Sequence, residues 1–95
     1  MRSSYETDFA NILDEQHTPY EVEALRIRYF DTQQQKERIA IPDFYLLETN
    51  TIIEVKSSWT FDKQNMLDKR AAYHELGYDF KLWYEHEFVD LDTFK

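Results

Sequence analysis

Apolar residues along this chain change their spacing several times, and each change marks a predicted element. From Ser4 to Gln16, Phe9, Ile12 and Leu13 recur at the interval of a helix and predict one buried stripe. Ser3 or Ser4 supplies a capping hydroxyl, and Glu6 and Asp8 stand near the helix start, where acids complement the dipole. From Tyr20 to Phe30 the period falls to two: Tyr20, Val22, Ala24, Arg26 and Arg28 share one strand face, and Glu21, Glu23, Leu25, Ile27 and Tyr29 the other. The apolar side changes along this segment, which predicts a bulge or two shorter strands. The polar run Asp31–Glu37 reads as a hairpin loop, followed by a strand from Arg38 to Leu47. After the short link Glu48-Thr49-Asn50 comes a strand from Thr51 to Ser57, rich in β-branched residues. Phe61 to Leu76 reads as a second helix, capped by Thr60 or Asp62 and stopped by Gly77, with Met66, Leu67, Ala71, Tyr73 and Leu76 toward a sheet. Asp79–Tyr84 alternates as a further strand, and Glu87–Phe94 reads as a short helix or an edge piece. The expected order is helix, three antiparallel strands, helix, strand. The helix before the last strand predicts a crossover into a mixed sheet.

Composition narrows this picture. A chain of 95 residues makes one small domain, and 7 Phe, 7 Tyr and 2 Trp supply much of its apolar bulk. No cysteine is present, which excludes disulfide staples, thiolate zinc sites and cysteine nucleophiles. There is no apolar run of membrane-spanning length and no apolar signal core at the start, so the expectation is a cytoplasmic protein in a bacterial host cell, with no membrane partner. The net charge of −8 runs against unaided DNA binding, which ordinarily uses a basic stripe. Two readings accommodate it: a catalytic domain whose DNA-gripping module lies elsewhere, or a protein whose acidity is itself the function.

The chemistry concentrates in Pro42-Asp43 and Glu54-Val55-Lys56. Glu54 and Lys56 lie two apart on a strand and point to one face, amid Ile52, Ile53 and Val55 that mark the strand as buried. Folding the hairpin so that Tyr45 pairs with Glu54 sets Asp43 across from Lys56, on the face of Glu54; a one-residue slip would turn Asp43 away. Two converging carboxylates repel unless a cation lies between them, and hard oxygen ligands suit Mg²⁺ or Mn²⁺. Such an ion polarises a phosphoryl oxygen and acidifies a bound water, and Lys56 beside it would steady the attacking hydroxide or the growing phosphate charge. The Val55 carbonyl is a further candidate ligand. The bland alternative is an ordinary cross-strand charge pair on a solvated sheet, which is how most isolated Glu-x-Lys motifs read.

The order of Ile41-Pro42-Asp43-Phe44, a short hairpin, Ile53-Glu54-Val55-Lys56-Ser57, a helix, and Gly77-Tyr78 before a strand resembles the PD-(D/E)XK nuclease superfamily from Tyr5 to Tyr84. Lys56-Ser57-Ser58-Trp59-Thr60-Phe61, Asn65, Lys69, Gly77-Tyr78 and Leu82-Trp83-Tyr84 look more narrowly like the very-short-patch-repair-type nuclease domains of phage homing endonucleases. The resemblance implies an α/β restriction-endonuclease-like core, a mixed four-stranded sheet flanked by helices in the order α-β-β-β-α-β. It also implies Mg²⁺-dependent cleavage of double-stranded DNA, with Glu6 as an acid near the metal. The chain departs from the repair enzyme in keeping Glu-x-Lys and in having no cysteine for that enzyme's structural zinc site.

Arg26, Arg28, Lys63 and Lys69 are the candidate DNA contacts, although pairing with cross-strand acids such as Glu37 is an equally good role for Arg26 and Arg28, and a solvated helix face is the plainer role of Lys63 and Lys69. One such site cuts one strand, so a double-strand break calls for a homodimer or larger assembly. The competing class is a non-enzymatic acidic binding protein or DNA mimic; a weaker alternative is a structure-selective junction nuclease.

Overall fold

The computed structural model describes residues 4–93, so Ser3 as a cap and the end of the tail at Phe94 lie outside the described residues. Helix α1 spans Ser4–Glu15 and is followed by strands β1 (Tyr20–Val22), β2 (Ile27–Asp31), β3 (Lys36–Ala40), β4 (Phe44–Leu46) and β5 (Thr51–Lys56). Helix α2 (Lys63–Glu75), strands β6 (Asp79–Tyr84) and β7 (Glu87–Val89) and a 3₁₀ turn at Leu91–Thr93 follow. The main sheet has the order β1-β4-β5-β6-β7, and β2-β3 forms a separate two-stranded hairpin. β5 and β6 run parallel with α2 between them, and the other neighbours in the main sheet are antiparallel. The fold is therefore α/β, a mixed sheet flanked by two helices.

The sheet is five-stranded, not four-stranded, because two expected strands each break in the middle and an edge strand is added. Tyr20–Phe30 divides at Glu23, whose φ of 51° turns the chain left-handed. Arg38–Leu47 divides at Ile41-Pro42, where Pro42 has no N–H to give a ladder. The two breaks lie opposite each other. The outer halves pair as β1 with β4 and the inner halves as β2 with β3, with the register displaced by one residue between Tyr20↔Leu46 and Ile27↔Ala40. The tail forms β7 on Trp83 and Tyr84 before the 3₁₀ turn.

Local chemistry accounts for the other boundaries. The hairpin turn contracts to Thr32–Gln35 because the buried Asp31 carboxylate accepts the amides of Gln33 at 2.9 Å and Gln34 at 3.0 Å. Asp62 caps α2 by accepting the Asn65 amide at 3.1 Å. At the other end Gly77 N–H donates to His74 O and Tyr78 N–H to Tyr73 O, a Schellman pair that needs the left-handed φ of 93° at Gly77.

The helices take opposite faces of the sheet. Phe9, Ala10 and Leu13 of α1 pack with Phe44, Ile53, Val55 and Trp83. Tyr73 of α2 packs with Ile52 and with Ile27, Tyr29 and Ala40 of the hairpin, and Met66 packs with Leu82 and Leu91. Three expected core positions are corrected here. Ile12 is exposed and Ala10 takes its place toward the sheet; on α2, Ala71 and Leu76 are exposed and Ala72 packs inward. Both shifts follow from where the helix face meets the sheet, which spacing alone leaves free by one position.

Candidate active site

β5 lies between β4 and β6, so its side chains alternate between two covered faces. Ile53 and Val55 go to α1; Ile52 goes to α2, and Glu54 follows it there. The expected pairing of Tyr45 with Glu54 is corrected to Tyr45 with Ile52. The difference is two residues, an even number, so Asp43 keeps the face of Glu54 and Lys56 and stands one residue beyond the last β4–β5 pair, Phe44↔Ile53. The shift comes from the turn: four residues, Leu47–Asn50, connect the strands, with Asn50 left-handed at φ 55°.

Where β4 ends, its backbone no longer serves β5. The Asp43 carboxylate takes over: its Oδ2 accepts the Val55 amide at 2.8 Å, while its carbonyl accepts the Glu23 amide at 3.2 Å. Pro42 is buried just before it and fixes the approach of the chain.

Glu54 is 2% exposed, an unusual place for a carboxylate. The Tyr73 hydroxyl donates to its Oε2 at 2.8 Å. Burial pushes the Glu54 carboxyl up to about 7, and the Asp43 charge adds to the rise, while Lys69, Lys56 and the Tyr73 hydrogen bond oppose it. Burial and the Glu54 charge hold the Tyr73 phenol well above its ordinary value, so Tyr73 remains a donor. Lys69 lies one helical turn before Tyr73 on α2. Burial keeps its amine below the usual value against the attraction of Glu54, and its Nζ stands 5.8 Å from the centre of the Tyr29 ring. Asn65 Nδ2 donates to the Tyr29 hydroxyl at 3.0 Å and fixes that ring.

Asp43, Val55 and Lys56 line a cavity of about 140 Å³ together with Glu6, Tyr5, Ser57 and Thr60. Glu6 arrives from the first turn of α1 and is half-buried. Glu54 is not part of that lining; its carboxyl lies against α2, on Tyr73. Among the described residues no group of three or more His, Cys, Asp or Glu side chains forms a cage for a metal ion. Mg²⁺ does not require one, since it is commonly held by one or two carboxylates with waters and substrate phosphates completing its shell. The donor set fits such an ion. Asp43 and Glu54 carry hard oxygen atoms; burial first and the Asp43 charge second raise the Glu54 carboxyl, and a cation beside them would offset the second of these.

The candidate DNA contacts are dispersed. Arg26 is exposed in the β1–β2 connection. Arg28 lies on the outer face of β2, 3.5 Å from Glu37. Lys63 opens α2, and Lys69 turns inward to the carboxylates instead of joining it on an outer face. His86, unassigned from sequence, meets Asp8 at 2.8 Å.

Tyr73 and the inward position of Lys69 were missed as site residues. Their four-residue spacing on α2 was the available signal: a helix that turns Tyr73 to the sheet carries Lys69 with it. Among the described residues no helix is long and apolar enough to cross a membrane. Compared with family models, with curated proteins and with solved structures, the chain finds no match in any of the three.

Proposed function

We propose that this chain is a PD-(D/E)XK-type endonuclease domain with a restriction-endonuclease-like core, hydrolysing phosphodiester bonds of double-stranded DNA with Mg²⁺ or Mn²⁺. The observation that carries this reading is the cavity shared by Asp43, Val55, Lys56 and Glu6, with Glu54 buried behind it. A buried acid beside a second acid and two lysines has no structural use that an apolar residue would not serve better.

Asp43, Glu54 and the Val55 carbonyl would hold the ion. When bound, it supplies Lewis-acid polarisation of the phosphate and a more acidic water. Lys56 places a positive charge at the cavity wall, where it orients the attacking water and neutralises charge growing on the phosphoryl oxygens. Lys69 favours the ionised form of Glu54, and Tyr73 fixes the orientation of its carboxyl. Glu6, also in the lining, would orient a water there. The net charge of −8 fits this reading if DNA gripping falls to a second subunit or a further DNA-binding module, as in the modular phage homing endonucleases that the motif order resembles. Such a domain works in the cytoplasm of the bacterial host as a homodimer or larger assembly.

The same charge favours one second reading, a nuclease-like fold serving as an acidic DNA mimic. Supercoiled-plasmid nicking in Mg²⁺ separates the two. The nuclease cuts, and Glu54→Ala and Lys56→Ala do not. Cleavage surviving both substitutions rejects the site, and no cleavage together with tight binding to a DNA-binding protein supports the mimic. Preference for four-way junctions over linear duplex would narrow the substrate to branched DNA.

A further inference from the structure

β6 and β7 are joined by Glu85 and His86 alone, with Tyr84 paired to Glu87 across the turn. Both residues are left-handed, at φ 48° and 68°, the backbone of a tight hairpin turn that Asn-Gly ordinarily fills. A Glu and a His held in that conformation are strained, and strain of this kind persists where side chains have a task.

Glu85 touches three other parts of the chain. Its amide donates to the Lys56 carbonyl at 3.1 Å, carrying the β5–β6 ladder one step beyond Tyr84. Its Oε2 accepts the Ser58 amide at 2.6 Å. The Tyr5 hydroxyl donates to the same carboxylate, 3.2 Å from Oε1 and 3.3 Å from Oε2. Next to it, His86 stacks 4.5 Å from Tyr5 and bonds to Asp8, which ties the turn to α1.

These contacts converge on one boundary. Lys56 ends β5, and the chain then makes a tight turn in which Thr60 and Phe61 amides both donate to Ser57 O. Tyr5, Lys56, Ser57 and Thr60 line the cavity together with Asp43. Glu85 does not line the cavity, yet it grips that lining on both sides of Ser57 and from α1 as well.

We infer that Glu85 is a positioning residue, which fixes Lys56 and the Ser57–Thr60 turn against α1 so that the amine is held at the cavity. The inference rests on the reading of the cavity as the nuclease site. An ordinary surface hairpin would need neither a carboxylate at this position nor a left-handed Glu.

The test compares Glu85→Ala, Glu85→Gln and the double variant Glu85→Asn, His86→Gly. The double variant supplies residues suited to the left-handed turn, so the hairpin is retained while the carboxylate is removed. Single-turnover nicking should show kcat reduced about 10- to 100-fold in Glu85→Ala and in the double variant, with KM within about 2-fold. Glu85→Gln keeps an acceptor for Ser58 and should stay within about 3-fold of wild type. Amide hydrogen exchange gives a readout that needs no cleavage: Ser58 and Thr60 should exchange about 10-fold faster in Glu85→Ala and not in Glu85→Gln, with β5 core amides unchanged. Wild-type kcat in Glu85→Ala and in the double variant, while Glu54→Ala is inactive, overturns the inference and leaves the nuclease reading standing. If wild type does not cleave, the nuclease reading falls. The exchange data then decide alone, and unaltered protection at Ser58 rejects the positioning role.

Discussion

One strand, β5, faces two different environments in the space of six residues. Toward α1 it presents Ile53 and Val55 to Phe9, Phe44 and Trp83, with ring centres of Phe9 5.2 Å from Phe44 and 5.0 Å from Trp83. That side holds the domain together by burying large apolar area. Toward α2 it begins the same way, with Ile52 against Tyr73, and then turns to Glu54 and Lys56. There the burial is as complete, but the buried group is an acid whose carboxyl stands near 7 because of where it is. Alternation along a central strand lets adjacent residues present an apolar group on one side and a buried acid on the other. The domain can therefore carry an unfavourable polar group without breaking its apolar core.

Substitutions on the two faces should separate these roles. The largest effect is expected from Glu54→Gln, which keeps the shape and a partner for Tyr73 but removes the charge. Nicking activity should fall by at least about 10³-fold, the scale for loss of a group that stabilises a developing charge. Stability should move the other way. With its carboxyl raised in the folded state, the Glu54 contribution to stability is greatest below the unfolded value near 4.5 and is lost as pH rises from there through about 7. The loss is on the order of 3 kcal/mol, and urea titrations at several pH values should show it absent in Glu54→Gln.

Ile53→Ala is the counterpart on the α1 face. It should cost roughly 2–5 kcal/mol of stability while leaving activity per folded molecule within a few-fold, measured by chemical denaturation and by nicking normalised to folded protein. Comparable activity losses from Ile53→Ala and Glu54→Gln would erase the distinction between the faces.

Tyr73→Phe lies at the border of the two roles. It leaves the buried Glu54 oxygen without its donor, at about 1–3 kcal/mol. Because that hydrogen bond lowers the carboxyl, its loss should also raise it and move the acid limb of the pH–rate profile upward. The smallest effect is expected at the exposed Arg28–Glu37 pair: Arg28→Ala should change stability by under about 1 kcal/mol in thermal unfolding.

How far the sequence revealed these features follows from what each depends on. α2 could be placed from Asp62 and Gly77 because capping is local. β6 followed from simple alternation between Asp79 and Tyr84. The breaks at Glu23 and Pro42 were only half legible. The changing apolar side of Tyr20–Phe30 announced one, but the pairing of β1 with β4 beyond the hairpin is a long-range choice. The even-numbered register error was harmless because face membership depends on parity alone. What local pattern could not supply was the company Glu54 keeps. Tyr73 looked like core and Lys69 like surface until α2 was laid across the strand. Glu85 gave no signal at all, since its importance arises from Tyr5 and Ser58, which are distant in sequence.

The most direct test of the proposed ion site is paramagnetic line broadening by Mn²⁺ in NMR spectra of the protein without DNA, comparing wild type with Asp43→Asn. Broadening should centre on the amides of Val55 and Lys56 at substoichiometric Mn²⁺ and disappear from them in Asp43→Asn, while β2–β3 signals stay sharp in both. Broadening that spares Val55 and Lys56, or that is the same in the variant, would contradict the account.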